Sequence, residues 1–368
     1  MEEIKRNEYV EVDKNMLIET TFPDAADAKF YSVRETPFEL YNFYEPEKQN
    51  LFRRLPPEIA DATSEKVAKL AKETAGGRVR FCTDSQYVLL RTVEPTVGRN
   101  SHMTLAMSAG FDLYEDTDTD SRYVKMFMPP YKMDGGYEQI IRFPERRLRC
   151  LTINFPIHSV VSEVYIGLQE DAVLGAGKKY RGDKPVVVYG SSIVHGTAAT
   201  RPGLIYTNIL SRFLDMNVIN LGFSGNAKAE PAIMEYIAGL DMSVFVYDYD
   251  HNAPNADFLR QTHKRGFDIV RRAQPDLPII LITRPNAVTN YTTQVRERKD
   301  IIIDTFRAAR EAGDKNVYYI DGETFFLGKF ENECTMDGVH PNDLGFTLMA
   351  DGIESVIRRA LRNKEKND

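Results

Sequence analysis

Between residues 79 and 168, apolar side chains recur at alternate positions in short runs. Beyond Pro185 they recur at three- and four-residue intervals between short, fully apolar runs. The first pattern belongs to strands with one buried face, the second to helices alternating with buried strands. The first part contains runs at 79–83, 87–93, 123–128, 139–143, 148–155 and 164–168, separated by turn-rich stretches at 94–98, 116–121 and 129–136. In the fifth run Leu151, Ile153 and Phe155 are expected to face a core, and Cys150, Thr152 and Asn154 to face away from it. Several short strands at this spacing predict a β-sandwich. Ahead of them, 1–60 is polar and aromatic and predicts an irregular arm, while the spacing of Ile59, Ala62, Val67, Leu70 and Ala71 predicts one helix within 57–76.

The glycine- and charge-rich stretch 175–185 has little to bury and predicts a boundary between domains 1–178 and 184–364. Past it, strands at 186–189, 218–221, 244–249, 279–283 and 317–320 alternate with helices at 204–214, 233–238, 257–272, 293–312 and 342–361. That alternation predicts a parallel sheet with helices on both faces, a three-layer α/β domain. In the first of these helices Leu204, Ile205, Ile209, Leu210 and Phe213 form the expected inner stripe, with Arg212 and Asp215 outside.

Composition narrows the function classes. Of 368 residues, 42% are hydrophobic and 27% charged, as in ordinary globular proteins, and the net charge of -7 leaves no basic footprint for nucleic acid. No apolar run approaches the ~18 residues of a membrane span. The amino end, M-E-E-I-K-R, lacks the features of a secretory signal, so the chain as written is expected to be soluble and cytoplasmic, or periplasmic or secreted if a leader was removed. Cys82, Cys150 and Cys334 show no C-x-x-C spacing, which argues against a zinc site and allows at most one bridge.

The chemistry gathers at predicted strand ends. Val186 to Gly196 reads V-V-V-Y-G-S-S-I-V-H-G, and Ser192 at its turn is either a nucleophile or a helix cap. Near the other end, Met336 to Asn342 reads M-D-G-V-H-P-N; its spacing lets Asp337 orient the ring of His340, although the same residues also suit a helix start with Pro341 at the first position. Gly222 and Asn252, each following a predicted strand, are either oxyanion donors or plain turn residues. His195 and His251, near Asp248 and Asp250, fit no common metal pattern and read as structural or substrate-lining. The run 116–120, D-T-D-T-D, lacks the later residues of a calcium loop, and Arg201 either lines the pocket or braces its loop.

In that order, Ser192, Gly222, Asn252 and His340 resemble the four signature blocks of the SGNH or GDSL-type esterases and acylhydrolases over about 184–362. Ser191 stands where the family name has Asp, and the third block reads D-H-N-A rather than G-x-N-D. Gly110 to Tyr114, G-F-D-L-Y, resembles the G-x-D-L-Y signature of a β-rich domain that precedes one such subfamily. The resemblance implies a flavodoxin-like hydrolase sheet behind a jelly-roll sandwich. It also implies a Ser192–His340–Asp337 triad and an oxyanion hole of the Ser192 and Gly222 amides with the Asn252 side chain. No cofactor or metal would be needed, and the substrate would be a small-molecule or glycan ester, acetyl on carbohydrate foremost. A scaffold or carbohydrate-binding protein without turnover and a long-chain lipase are the alternatives. A homo-oligomer is compatible with the sequence.

Overall fold

A computed structural model of the chain describes residues 18–285, 293–328 and 330–365. Residues 1–17 of the expected amino-terminal arm lie outside the described residues.

The amino-terminal half is a β-sandwich. One antiparallel sheet is ordered Ala28–Ser32, Glu163–Gln169, Tyr87–Val93, Gly136–Arg142. The other is ordered Leu174–Ala176, Arg78–Thr83, Arg149–Asn154, Phe111–Asp116, Ser121–Phe127, with Glu39–Tyr41 paired beside Arg78–Thr83. Their facing side chains, among them Phe81, Val88, Leu90, Phe111, Leu113, Leu151, Ile153, Phe155 and Ile166, form one buried core. Cys82 and Cys150 meet across neighbouring strands in a disulfide, Cα to Cα 4.0 Å, and Cys334 is free and buried.

Three expectations change. The arm is not wholly irregular, since it supplies Ala28–Ser32 and Glu39–Tyr41. The helix at 57–76 is two, Pro57–Thr63 and Glu65–Leu70, because extended Ser64 breaks the first and caps the second by accepting from Val67 N–H. The outer face of 149–154 is not solvated: Thr152 and Asn154 are 7% and 2% exposed, Thr152 bonded to Arg80 and Asp116 and Asn154 to Asp112, which in turn accepts from Arg201 and Gly203 of the parallel-sheet half.

That second half holds five parallel strands, β1 (Val186–Gly190), β2 (Val218–Gly222), β3 (Val244–Asp248), β4 (Ile279–Ile282) and β5 (Val317–Ile320), in the order β2-β1-β3-β4-β5. Helices α1 (Ser192–His195), α2 (Tyr206–Leu214), α3 (Pro231–Ala238), α4 (Ala256–Ala273), α5 (Thr293–Glu311) and α6 (Asp343–Glu365) follow in chain order. Apolar residues of both faces are consumed, by one core including Tyr189, Leu221 and Tyr247 and another including Val188, Val246 and Ile280. Each fully buried large apolar side chain contributes ~1.5–3 kcal/mol. The sheet is therefore a rigid platform, and its strands end together.

The edge strand β2 is closed by the amino-terminal half. Asn42 accepts from Asn220 N–H at 2.6 Å, and buried Arg54 donates to Gly222 O at 2.8 Å and Asn220 O at 3.2 Å. Covering an edge in this way satisfies backbone groups that would otherwise template aggregation.

Candidate active site

The chain leaves β1 at Gly190 and turns at once into α1, earlier than the helix predicted from 204. Ser191, not Ser192, is the helix cap; its hydroxyl accepts from Ile193 N–H at 3.2 Å. Ser192 is thereby the first helical residue, its side chain free of the cap and its amide without an intrahelical acceptor. Ser192 Oγ lies 2.9 Å from His340 Nε2.

His340 comes from the loop after β5. Thr335 and Pro341 bridge across the loop, and Met336 N–H donates to His340 O at 2.9 Å, so α6 begins at Asp343 rather than at Pro341. Asp337 Oδ1 accepts from the Val339 and His340 amides at 3.0 and 2.8 Å, and Oδ2 lies 2.7 Å from His340 Nδ1. Burial raises the Asp337 pKa, but the His340 amide and ring and the Val339 amide outweigh it and hold the carboxyl down at about 2. An ionised Asp337 favours the tautomer with Nδ1 protonated and Nε2 free to accept from Ser192.

The two expected oxyanion donors diverge. Asn252 Oδ1 accepts from Ala227 N–H at 3.1 Å, so its amide nitrogen is the end left for a ligand. The loop is clamped by Asp250, which receives Arg284 at 3.0 Å through two nitrogens and Arg298 at 3.2 Å; Arg298 also donates to Ala253 O at 2.7 Å. Gly222 does not offer its amide, which donates to Asn220 Oδ1 at 2.9 Å. It is the last residue of β2, and a Cβ there would lie 2.1 Å from His195 N, so glycine serves the close approach of α1. Gly225, three residues on, has φ +70°, and its amide has no partner among the described residues. Gly225 and Asn252 line a common cavity of about 530 Å³ with His251, Arg284, Gln294 and Arg298. Sequence reasoning missed Gly225; the signal was the turn triplet Ser224-Gly225-Asn226 beyond the strand end.

His195 and His251 have different surroundings. His251 Nε2 has no hydrogen-bond partner among the described residues, and burial, aided by Arg284, pushes its pKa down to about 3. His195 is buried, with Nδ1 facing Ser224 Oγ at 3.1 Å and Ser224 N at 3.5 Å. Its Nε2 lies 3.1 Å from Ile157 O and 3.2 Å from Glu73 Oε2, and Glu73 also meets His158 Nδ1 at 2.9 Å. Burial pushes His195 down to about 4, whereas Glu73, despite its own burial, is held far below the usual carboxylate range by the two imidazoles. Three donor atoms of Glu73, His158 and His195 lie within 4.8 Å of one another, a spacing a metal could use. Each is already engaged in the hydrogen-bonded network, which extends to Thr197 and Ser224.

Arg201 is a brace. It donates to Asp112 Oδ2 and Tyr114 OH, both at 2.6 Å, and stacks 3.9 Å from the Tyr123 ring. Asp112 further accepts from Gly203 N–H and Asn154. The Asp and Tyr of the G-F-D-L-Y stretch thus pin the loop after α1.

Comparison with known proteins follows the same division. The GDSL-like lipase/acylhydrolase family matches residues 183–358, and the family described as the N-terminus of SGNH-hydrolase-type esterases matches 28–174. No curated protein sequence matches the chain significantly. Among solved structures, a Bacteroides ovatus protein assigned as a GDSL-like lipase is 27% identical, with 91% of this chain and 98% of that one covered and a TM-score of 0.82. The salicylyl-acyltransferase SsfX3 of a tetracycline biosynthetic pathway is 18% identical over 89% and 96%, TM-score 0.73. A family two carbohydrate esterase from Clostridium thermocellum, solved with cellohexaose, shares the fold at 14% identity over 78% and 94%, TM-score 0.56. With both family matches in chain order and the parallel sheet they require, residues 183–358 belong to the GDSL-like lipase/acylhydrolase family and residues 28–174 to the amino-terminal domain of SGNH-hydrolase-type esterases, the arrangement of a carboxylic ester hydrolase.

Proposed function

We propose that the protein is a serine esterase that removes small acyl groups, acetyl foremost, from carbohydrate. The observation that carries this reading is the unbroken hydrogen-bonded chain from Asp337 through His340 to Ser192 at the carboxyl end of β1. His340 Nε2 takes the Ser192 proton as Oγ attacks the ester carbonyl, and Asp337 stabilises the imidazolium that forms. The oxyanion is received by the Ser192 amide, the Gly225 amide in place of Gly222, and the Asn252 side-chain amide. His340 then gives its proton to the departing sugar hydroxyl, leaving an acyl-Ser192. Water, deprotonated by the same ring, releases the acid and restores Ser192.

The polar cavity lining, with His251, Arg284, Gln294 and Arg298, supports a polar substrate over a long acyl chain. Carbohydrate draws support from similarly folded proteins named as carbohydrate esterases, including an acetyl xylan esterase from Butyrivibrio proteoclasticus. The test is acetate release from a panel of acetylated mono- and oligosaccharides beside p-nitrophenyl esters of increasing chain length. Release from sugars that vanishes in Ser192→Ala is expected; turnover rising with acyl length and no acetate from any sugar would favour a lipase instead.

A further inference from the structure

Where the sandwich meets the parallel sheet lies a second cavity, of about 200 Å³, lined among others by Arg78, Arg80, Asp116, Lys178, Tyr180 and Arg212. It is far from the active site in the fold. Arg78 reaches Asn217 Oδ1 at 2.7 Å and Val218 O at 3.2 Å, at the amino end of β2, whereas Ser192 sits beyond the carboxyl end of its neighbour β1.

The cavity carries more positive charge than its own acids answer. Arg78 is 2% exposed, and its partners among the described residues are two Asn side chains and a carbonyl, with none at its buried Nε. Arg80 is 3% exposed and is paired with Asp116, yet its buried Nη1 is also without a partner among the described residues. Arg212, expected from its helical position to be outside, is half-buried instead, while Phe213 beside it is exposed. Its guanidinium lies 4.3 Å from the Tyr114 ring and, among the described residues, donates to Asn208 O alone. Among the described residues neither Arg78 nor Arg212 has a carboxylate within 4.0 Å. The acids that line the cavity are each paired singly, Asp116 with Arg80, Asp215 with Arg181 and Asp118 with Lys178 inside it and Asp120 with Arg122 outside it, which leaves Arg78 and Arg212 unanswered. A buried guanidinium needs a counter-charge or a full set of acceptors, and its planar fork fits oxyanions well.

We propose that this cavity binds a small anion, a carboxylate or phosphate group carried free or on a ligand no larger than a monosaccharide. The Arg212 guanidinium receives the oxygens, with the buried charges of Arg78 and Arg80 behind it, and Tyr180 and Tyr114 border the remainder. Arg80 lies 4.2 Å from the Tyr180 ring, so charge and aromatic surface are contiguous there. The volume is below the ~300–1,000 Å³ of sites for drug-sized ligands, which limits the occupant.

The test is calorimetric titration of the full chain carrying Ser192→Ala with inorganic phosphate, glucuronate and glucose at fixed ionic strength. One saturable site for an anion and none for glucose is the expected result. Glucuronate alone would identify a sugar acid, phosphate alone a free oxyanion; both support the site. Arg212→Met should weaken binding roughly tenfold or more, as loss of a charge-assisted contact requires. A second readout uses no variant in the cavity: the bound anion should protect Arg212 from phenylglyoxal, mapped by mass spectrometry. No saturable binding of either anion, or binding that leaves Arg212 unprotected, overturns the proposal. It does not rest on the esterase reading, because binding is measured with Ser192 removed.

Discussion

Among the described residues are two carboxylate–imidazole–serine chains, which meet α1 at Ser192 and at His195, and we propose that only the first reacts. In Asp337–His340–Ser192 the imidazole and carboxylate are 23% and 38% exposed, and among the described residues the ring nitrogen facing the serine has that hydroxyl as its partner. In Glu73–His195–Ser224 the ring is fully buried, and its Nδ1 is shared by the Ser224 hydroxyl and amide. The first leaves a base facing a hydroxyl that a substrate can approach. The second fixes the backbone immediately before Gly225, so the same three kinds of group, with Glu in place of Asp, act as a positioning strut. Solvent access and the count of donors on the histidine separate the two roles, not residue identity.

Replacing Ser192 with Ala breaks the comparison at its strongest point. Turnover of a short activated ester should fall by on the order of 10⁶, with the melting temperature unchanged; Ser224→Ala in the same assay should leave most of the activity. Equal losses would mean that the two chains are not distinct. Asp337→Asn should reduce kcat by on the order of 10⁴, because the wrong tautomer is favoured while the geometry persists, and a wild-type rate in that variant would remove Asp337 from the chemistry. Asn252→Ala should lower kcat by roughly 10²–10³ with little effect on KM, the cost of one oxyanion donor; a pure KM effect would make Asn252 a binding residue only.

The smallest effect concerns pH. Folded His195 stays neutral down to about 4, whereas the unfolded chain binds that proton near 6.5. Stability is therefore intact above 6.5 and falls as pH drops from 6.5 towards 4, by at most about 1.4 kcal/mol per unit for this one site. Glu73 adds loss of the same sign below about 4.5, and His251 shares the histidine range. Denaturant titrations at pH 7, 5.5 and 4.5 should show a shallower acid slope in His195→Asn than in the wild type. Parallel slopes would show that His195 does not carry that proton linkage.

Much of this was legible in the sequence because it is local. The switch from two-residue to helical period marks the change of fold, and the residues 190–192 and 337–340 each combine a strand end with reactive types within a few positions. What escaped is what only packing decides. Glu73 and His195 are 122 positions apart, and nothing in either segment announces the other. Gly222 and Gly225 look equivalent until the β2 ladder ends between them. Arg212 and Phe213 exchange their expected sides because the sandwich covers that face of α2, and Phe111–Asp116 was missed as a strand because its polar positions are partners of distant arginines, Asp112 and Tyr114 of Arg201, Glu115 of Arg147 and Asp116 of Arg80.

The central claim is that Ser192 is the reacting hydroxyl. Labelling the wild-type chain with a fluorophosphonate and mapping the adduct by mass spectrometry tests it most directly. A single adduct on Ser192, absent in His340→Ala, is the predicted result; an adduct on Ser224, or unlabelled Ser192 in protein that still hydrolyses an ester, would contradict it.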